Sequence, residues 1–489
     1  MKYFSTRNDK ETYTAAQAIA MGIAPDGGLF VPETVPQVDA ETLKSLCAAD
    51  YRTRAVRIMK LYLDEFTAEE LESYVNSAYA DNYDDAAIAP TRFLDDGTAF
   101  LELWHGPTCA FKDMALQMLP HLLTASLKKT GERRRVCILV ATSGDTGKAA
   151  LEGFSDVPGT KIFVFYPDGG VSRIQRLQMV TQTGDNVGVC AVKGNFDDAQ
   201  TGVKKIFGDA AFAEDLTRRG WFLSSANSIN WGRLLPQIVY YFSAYCDYVN
   251  SGRIEAGEKI NFCVPTGNFG NILAGWFARR MGLPVARFVC ASNANNVLTD
   301  FIRTGVYDKN RPFHTTISPS MDILVSSNLE RLLYMLTGDA ETRDYMEQLN
   351  TAGKYSVSAP ALSEIQNTFS AGCCGDAETK AAIGAVFGEK KYLMDTHTAV
   401  AYKVLRDYRT ETGDKTPTVV VSTASPFKFA ADVADALGGK ADGDPLAALT
   451  DRTGIPVPKP LAGLDTRPVR FPEVTEKADM RSVVSNFLK

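Results

Sequence analysis

The sequence predicts an α/β protein built on parallel sheets, preceded by a small and mainly helical N-terminal domain. Its 489 residues exceed the size at which a single core stops growing, about 250–300 residues, so two or three domains are expected. Residues 1–92 carry helical patterns, whereas residues 93–489 repeat a short apolar run, a Gly- or Ser-rich turn and a helix-period segment. Such alternation is typical of parallel strands with helices on their faces.

Each part of the chain has its own pattern. The N-terminal domain shows amphipathic helical patterns at 40–61 and 68–78 and a turn-rich segment, PDGGLFVPE, at 25–33. The predicted strands of the remainder are TAFLEL, VCILVAT, KIFVFY, NVGVCAV, WFLSSA, INFCVP, RFVCAS and TVVVST. Residues 440–472 are rich in proline, which disfavours helix and central strand, so they are expected to wrap the surface. Because ligands of parallel sheets bind outside the carboxyl ends of the strands, functional residues are expected in the turns that follow these runs.

Composition and charge exclude several classes of function. The 52 basic and 58 acidic residues give a net charge of −6, which provides no broad positive surface for nucleic acid. Nine cysteines lie scattered without metal-ligand spacing, so neither a disulfide framework nor a metal site is predicted. The N-terminus turns polar early, and no run approaches the ~18 apolar residues of a membrane span. These features predict a cytoplasmic protein without membrane or nucleic-acid partners; they do not distinguish a monomer from a homodimer.

Lys112 is the candidate catalytic residue. It lies in TAFLELWHGPTCAFKDMALQML, after a strand and a loop, at the predicted start of a helix and beside Ala110 and Phe111. Desolvation at such a position lowers the pKa of a lysine and makes its amine a usable nucleophile and base. A cation in the first helical turn is also unfavourable by ~0.3–1 kcal/mol unless an anion or a covalent bond compensates it. A solvated helix face is the commoner explanation for an arbitrary lysine, and the neighbouring turns decide against it here.

The run VCILVATSGDTGKAALEGF ends in a turn that could bind an anion. Ser143, Thr146 and the backbone N–H groups at a helix start form an anion cradle. The turn is no Walker A loop, because two residues instead of four separate its glycines and alanine follows its lysine. Lys148 either contacts an anionic ligand or forms only a local ion pair with Asp145.

A second turn, in INFCVPTGNFGNILAGWFARR, places Gly267, Asn268, Phe269 and Asn271 between a strand and a helix. Its glycines let the backbone approach a ligand closely and its asparagines add donors, as a bound phosphate monoester requires. Glycine used for packing alone explains many single turns of this kind. Several such turns combined with a placed lysine favour a ligand site.

Polar residues also follow two other strands. Thr423 ends TVVVST, where its hydroxyl could bond the ring nitrogen of a heterocycle, although an ordinary helix cap is an equally good local explanation. Asn230 and Arg233 lie in SSANSINWGRLLPQ, and arginine at a helix start suits bidentate binding of phosphate or carboxylate. His105 and His397 are interpreted as hydrogen-bonded buried histidines and not as the catalytic base.

Five segments together resemble threonine synthase of the pyridoxal phosphate (PLP) fold type II superfamily, in the longer branch found in bacteria and fungi. They are HGPTCAFKDMALQ, ATSGDTGKAA, NSINWGRLLPQ, PTGNFGNILAG and STASPFKF, and YFSTRN and DGGLFVPE resemble the N-terminal domain of that branch. The resemblance implies two α/β lobes with the active site between them. It also implies a Schiff base between PLP and Lys112 and a pyridine nitrogen facing Thr423. The residues implied to hold the PLP phosphate are Gly267, Asn268, Phe269 and Asn271.

The resemblance further implies a lyase that converts O-phospho-L-homoserine and water to L-threonine and phosphate, the last step of threonine biosynthesis. The candidate substrate ligands are Ser143, Asp145, Thr146, Lys148, Asn230 and Arg233. Asp145 stands where many fold type II relatives have Asn, and Asn268 and Phe269 stand where many have glycine. Both departures agree with this branch and argue against a cysteine synthase or a threonine deaminase. The alternatives are a threonine-synthase-like phospholyase that releases a 2-keto acid and a catalytically silent homologue, in which the lysine or the phosphate turn would have decayed.

Overall fold

The computed structural model describes residues 1–94, 97–439 and 443–489. The N-terminal region contains β1 (Tyr3–Ser5), β2 (Asn8–Tyr13), α1 (Ala15–Met21), β3 (Phe30–Pro32), α2 (Ala40–Cys47), α3 (Tyr51–Lys60) and α4 (Ala68–Ala78). Its strands form a small antiparallel sheet in the order β2-β1-β3, which adds to the predicted helices. The helix predicted at 68–78 is confirmed as α4, and Thr67 and Glu70 cap its start reciprocally.

The helical pattern at 40–61 forms two helices instead of one. Asp50 separates α2 from α3, because its backbone is extended (φ −77°, ψ 173°) and its carboxylate accepts the N–H of Thr53 at 2.8 Å. Asp39 caps α2 in the same way. Each aspartate satisfies a free N–H group of the helix that follows it, which stabilises two short helices in place of one long one.

The middle of the chain alternates strands and helices. Its elements are β4 (Thr91–Phe93), β5 (Thr98–Glu102), α5 (Asp113–Leu116), α6 (Leu119–Lys129), β6 (Arg135–Ala141), α7 (Asp145–Phe154), β7 (Thr160–Pro167), α8 (Arg173–Val180), β8 (Val187–Val192), α9 (Phe196–Phe207), α10 (Ala210–Arg218), β9 (Trp221–Ser224) and α11 (Trp231–Asn250).

The last part of the chain continues this alternation. Its elements are β10 (Ile260–Pro265), α12 (Gly270–Arg280), β11 (Val285–Ser292), α13 (Val297–Thr304), β12 (Val306–Asp308), α14 (Leu329–Thr351), β13 (Lys354–Ser356), α15 (Ala359–Thr368), β14 (Phe369–Cys373), α16 (Asp376–Lys390), α17 (Thr396–Thr412), β15 (Thr418–Ser422), α18 (Ala430–Ala436), α19 (Pro445–Thr453), β16 (Val474–Thr475) and α20 (Met480–Phe487). Single 3₁₀ turns cover Pro319–Met321, Pro426–Phe429, Leu464–Thr466 and Lys477–Asp479.

Two larger sheets organise the described residues beyond the N-terminal region. One has the strand order β14-β11-β10-β15-β5-β4 and is parallel except for β4 against β5. The other has the order β16-β8-β7-β6-β9 and is parallel throughout. Every strand predicted from an apolar run is confirmed, and these strands are largely buried, as parallel strands covered by helices must be.

The proline-rich segment 440–472 departs in part from the prediction, because α19 lies within it. This helix begins at Pro445 and is capped by Asp444. Proline is tolerated there because the first N–H groups of a helix have no partner within the helix. Residues 454–472 are mostly exposed and irregular, as expected for a surface segment. Residues 440–442 lie outside the described residues.

The topology brings the carboxyl ends of β10, β15 and β5 side by side. Cys263 lies opposite Val420, and Ser422 lies opposite Glu102. The N-terminal region packs nearby, with α1 against α6 and α3 against α11. The predicted division between residues 92 and 93 falls within β4 and stays a prediction. Within the described ranges, no helix is long and apolar enough to cross a membrane.

Candidate active site

Lys112 lies at the end of the loop after β5, and hydrogen bonds of its neighbours fix its position. The Thr108 backbone N–H and hydroxyl both donate to the Asp113 carboxylate, at 2.8 and 2.6 Å. Ala110 forms a β-bridge with Ala424, and the Phe111 N–H donates to the Thr423 carbonyl at 2.8 Å. The Lys112 backbone is therefore tied to the turn after β15, where Thr423 is located.

The surroundings of the Lys112 amine favour its neutral form. The residue is 8% exposed, and its Nζ lies 3.9 Å from Asp145 Oδ2 and 4.6 Å from the centre of the Phe111 ring. Burial lowers the pKa of Lys112 to about 8; Asp145 opposes this change, while the cations of Arg233 and Lys428 add to it. A lysine in this range is a nucleophile and a base near neutral pH.

Asp145 begins α7 and lies between two ammonium groups. It is 3% exposed, and its Oδ1 accepts from Gln175 Nε2 and lies close to Lys428 Nζ, both at 2.9 Å. Burial alone would raise the pKa of Asp145, but Lys428 and then Lys112 hold that pKa well below its ordinary value. Asp145 is therefore an ionised carboxylate that serves both lysines.

The turn that carries Asp145 is organised by Thr142. The Thr142 hydroxyl accepts the N–H groups of Gly144 and Gly147, both at 2.9 Å. Gly144 adopts φ 132°, a conformation that only glycine adopts readily, and the turn leaves Ser143 and Thr146 half-buried. The assignment of Ser143 and Thr146 to an anion cradle stays a prediction.

Lys148 does not pair with Asp145, contrary to the local ion pair considered from the sequence. Its Nζ donates to Glu152 Oε2 at 2.6 Å and to Gln182 Oε1. Glu152 follows one helical turn later, so it is the carboxylate that the helix itself presents to Lys148. Asp145 is instead drawn towards Lys428, a residue that local sequence patterns did not single out.

The turn from Thr266 to Asn271 is tightly packed and leads into the start of α12. A Cβ on Gly267 would lie 2.6 Å from the Ser320 carbonyl oxygen, so this position admits only glycine. Phe269 has left-handed backbone (φ 64°), and α12 begins at the next residue with no side chain capping it. The Asn268 carbonyl accepts both the N–H and the Nδ2 of Asn328, at 3.0 and 3.1 Å. An uncapped helix start retains free N–H donors, which suit an anion.

The Asn271 side chain has one buried donor without an acceptor among the described residues. Its Oδ1 accepts the hydroxyls of Tyr240 and Tyr241, at 2.7 and 2.8 Å. Its Nδ2 is buried and has no hydrogen-bond partner in the described structure. Because buried donors are rarely left unpaired, this amide fits a ligand oxygen at the start of α12.

Arg233 is a buried cation without a carboxylate. It is 5% exposed; its Nη1 donates to the Ala226 carbonyl at 2.8 Å, and its Nε has no partner among the described residues. Burial lowers the pKa of Arg233 to about 10. A desolvated guanidinium with a free donor is suited to an anionic ligand.

Asn230 is already engaged with the N-terminal region. Its Oδ1 accepts the Gly232 N–H at 2.8 Å, which caps α11, and its Nδ2 donates to the Ile19 carbonyl at 3.0 Å. Both ends of the amide are used in holding α1 against the start of α11. The predicted contact of Asn230 with substrate would require these bonds to be exchanged, so its contribution here is to position the Arg233 helix.

His397 supports the turn from Thr266 to Asn271 as a buried, hydrogen-bonded histidine. Its Nε2 accepts the Ser320 N–H at 3.1 Å, so the proton is on Nδ1, which lies 2.8 Å from Asp395 Oδ2. Ser320 is also the residue whose carbonyl oxygen packs against Gly267. The interpretation of His397 as a hydrogen-bonded buried histidine is confirmed.

Family models match nearly the whole chain. Residues 2–79 match the threonine synthase N terminus, residues 99–424 match pyridoxal-phosphate dependent enzymes, and residues 398–485 match the threonine synthase C-terminal domain. Threonine synthase of Pseudomonas aeruginosa is 40% identical over 92% of this chain and 94% of its own length. Human threonine synthase-like 1 is 42% identical over 86% of this chain, which spans only 58% of that relative.

Solved structures agree with these matches. A PLP-bound threonine synthase from Brucella melitensis is 37% identical and superposes with a TM-score of 0.87 over 100% of this chain and 98% of its own. Yeast threonine synthase is 34% identical, with a TM-score of 0.89 over 99% and 97% of the two chains. The predicted fold type II architecture and the predicted cofactor PLP are confirmed by these comparisons.

Proposed function

Because the chain belongs to the threonine synthase family of pyridoxal-phosphate-dependent enzymes, we propose that it converts O-phospho-L-homoserine and water to L-threonine and phosphate. The observation that carries this proposal is that two buried donor atoms, Asn271 Nδ2 and Arg233 Nε, lack a partner in the described structure, and that the Arg233 cation acts on Lys112. Asn271 Nδ2 suits the phosphate of the cofactor, and Arg233 Nε suits a second anion, which the substrate supplies.

The residues of the site fit PLP. Lys112 would hold the cofactor through its amine, the turn from Gly267 to Asn271 would bind its phosphate, and Thr423 would face its pyridine nitrogen. PLP supplies, when bound, an electron sink that stabilises negative charge on the substrate carbons near the amine. A hydroxyl at Thr423, in place of a carboxylate, leaves the ring nitrogen largely neutral and so moderates that sink.

Lys112 is the proposed base. Its pKa of about 8 lets the free amine accept a proton from the substrate Cα near neutral pH. Asp145 stays ionised beside it and stabilises the ammonium group that results, since the two side chains lie 3.9 Å apart. The proton can then be returned by the same lysine at a later step.

The substrate phosphate is assigned to Arg233 with the hydroxyls of Ser143 and Thr146. Arginine offers a planar set of donors that matches a phosphate, and the two hydroxyls border the start of α7. Lys148 would join them only by releasing Glu152, which makes it a secondary ligand. The bound phosphate would cover the half-buried hydroxyls of Ser143 and Thr146 and exclude water until it leaves, after which water adds at Cβ.

A phospholyase that releases a 2-keto acid is the second candidate function. The chain is 42% identical to human threonine synthase-like 1, a name that states no activity, and 40% identical to the Pseudomonas aeruginosa threonine synthase, so identity alone does not separate the two activities. A catalytically silent homologue is disfavoured, because Lys112 and the phosphate turn are both present. The cytoplasmic location and the choice between monomer and homodimer stay predictions.

Product analysis tests the proposal. The PLP-loaded protein is incubated with O-phosphohomoserine, and threonine, inorganic phosphate and 2-oxobutyrate are quantified together. We expect threonine and phosphate in equal amounts, and no turnover by Lys112→Ala. Phosphate accompanied by 2-oxobutyrate would establish the phospholyase, and a loaded protein that releases no phosphate would support the silent homologue.

A further inference from the structure

The ammonium group of Lys428 lies inside the site but has no part in the chemistry proposed so far. Lys428 belongs to the 3₁₀ turn after β15 and is fully buried, at 0% exposure. Its Nζ lies 2.9 Å from Asp145 Oδ1, and it donates to Gln178 Oε1 at 2.7 Å and to the Thr108 carbonyl at 3.0 Å. These contacts use all three N–H bonds of the ammonium group. The side chain is therefore held in one orientation.

Lys428 and Lys112 share one carboxylate. Asp145 Oδ1 faces Lys428, and Asp145 Oδ2 lies 3.9 Å from Lys112 Nζ. A carboxylate whose charge is already balanced by one ammonium group attracts the proton of a second lysine less strongly than a free carboxylate would. Lys428 therefore counteracts the tendency of Asp145 to keep Lys112 protonated.

We propose that Lys428 is a positioning residue, which fixes Asp145 and the Thr108 turn so that the Lys112 amine remains available as a nucleophile and base. The inference rests on the proposed role of Lys112. Besides its contact with Asp145, Lys428 acts on Lys112 through Thr108. The Thr108 carbonyl accepts from Lys428, and the Thr108 N–H and hydroxyl donate to Asp113, the residue next to Lys112. One side chain thus sets both the charge and the position of the reactive lysine.

The charged groups that face Lys112 determine the expected effect. They are Asp145, Arg233, Lys428 and Asp113. Removing the charge of Lys428 deletes a nearby cation and leaves Asp145 to act on Lys112 alone, and both changes stabilise protonated Lys112. The titration of Lys112 should move upwards by about one pH unit or more, which is a tenfold or larger loss of neutral amine near pH 7.

The test is the pH dependence of Lys112 acylation in the full-length chain freed of PLP. Acetic anhydride is the probe, the Lys112 peptide is followed by mass spectrometry, and the exposed Lys415 is the internal control. Lys428→Met should raise the labelling midpoint of Lys112, and Lys428→Arg, which keeps the charge, should recover most of the change. A folded Lys428→Met protein with an unchanged midpoint would overturn the proposal, because a merely structural role would not move this titration.

A second pair of variants keeps the test decisive if Lys428→Met does not fold. Lys428→Met leaves the buried Asp145 carboxylate without its nearest cation. Asp145→Asn and the double variant Lys428→Met/Asp145→Asn avoid this problem, because both lack the carboxylate. The midpoint should be higher in the double variant than in Asp145→Asn, because only the latter retains the Lys428 cation. Equal midpoints would refute the inference. Labelling requires neither cofactor nor substrate, so failure to form threonine alongside a shifted midpoint would count against the proposed function alone.

Discussion

Arg233→Met is expected to separate substrate binding from cofactor binding. Arg233 is 5% exposed and pairs with no carboxylate among the described residues, and burial lowers its pKa to about 10. At ~1.4 kcal/mol per pKa unit, this change corresponds to roughly 3 kcal/mol against the charged form in the folded protein. A bound substrate phosphate can offset this cost of the buried charge. A neutral side chain at position 233 carries no such cost and therefore gains nothing from the phosphate.

This free energy sets the magnitude of the effect on binding. If the substrate phosphate compensates most of it, loss of Arg233 should raise KM for O-phosphohomoserine by about 100-fold, since ~1.4 kcal/mol is a factor of ten. The free energy of unfolding should be unchanged or up to about 1.5 kcal/mol higher, because relief of the buried charge, roughly 3 kcal/mol, equals or exceeds the ~1.5–3 kcal/mol of the lost charged hydrogen bond to Ala226. PLP affinity should not change, because the cofactor phosphate is assigned to other residues.

The assay measures KM, PLP affinity and urea unfolding of Arg233→Met beside Arg218→Met. Arg218 is a suitable control because its side chain is 71% exposed, and its replacement should leave all three quantities near their wild-type values. Single-turnover kinetics separate substrate binding from the chemical step. An unchanged KM for Arg233→Met, or a parallel loss of substrate and PLP affinity, would show that Arg233 does not bind the substrate phosphate.

Other side chains of the site make equally specific predictions. Asn271→Leu removes the free Nδ2 and should weaken PLP binding at least about tenfold in a fluorescence titration, since a hydrogen bond to a charged group contributes ~1.5–3 kcal/mol; unchanged affinity would exclude Asn271 as a phosphate ligand. Thr142→Val leaves two N–H groups without an acceptor and should lower the free energy of unfolding by about 1–3 kcal/mol in urea, and a smaller loss in the matched Thr146→Val is its control. The rate at which cofactor-free protein captures PLP should rise with pH through about 8, because the neutral amine of Lys112 is the attacking form; a rate independent of pH between about 7 and 9 would contradict the role of Lys112.

Much of the fold is encoded in local patterns. Parallel strands covered on both faces are continuous apolar runs, which is why segments such as VCILVAT are recognised directly. The strand Phe369–Cys373 has no such run and is defined by its pairing with β11, so only tertiary structure reveals it. The break at Asp50 depends on a single capping contact to Thr53, which competes with an amphipathic pattern that continues across it.

The site divides in the same way. Lys112 and the turn from Gly267 to Asn271 are visible locally, because each follows an apolar strand with an unusual choice of residues. Lys428 meets Thr108 across 320 residues, and no local pattern reports that contact. The resemblance predicts Asn230 as a substrate ligand, and no local pattern indicates that its Nδ2 donates to the Ile19 carbonyl, 211 residues away.

The visible absorption spectrum of the PLP-loaded protein, before and after addition of O-phosphohomoserine, tests the central claim most directly when it is compared with that of Lys112→Ala. We predict a visible band in the wild type that is lost or altered in Lys112→Ala, changes on addition of substrate, and accompanies release of threonine and phosphate. A wild-type protein that stays colourless after incubation with PLP would contradict the account.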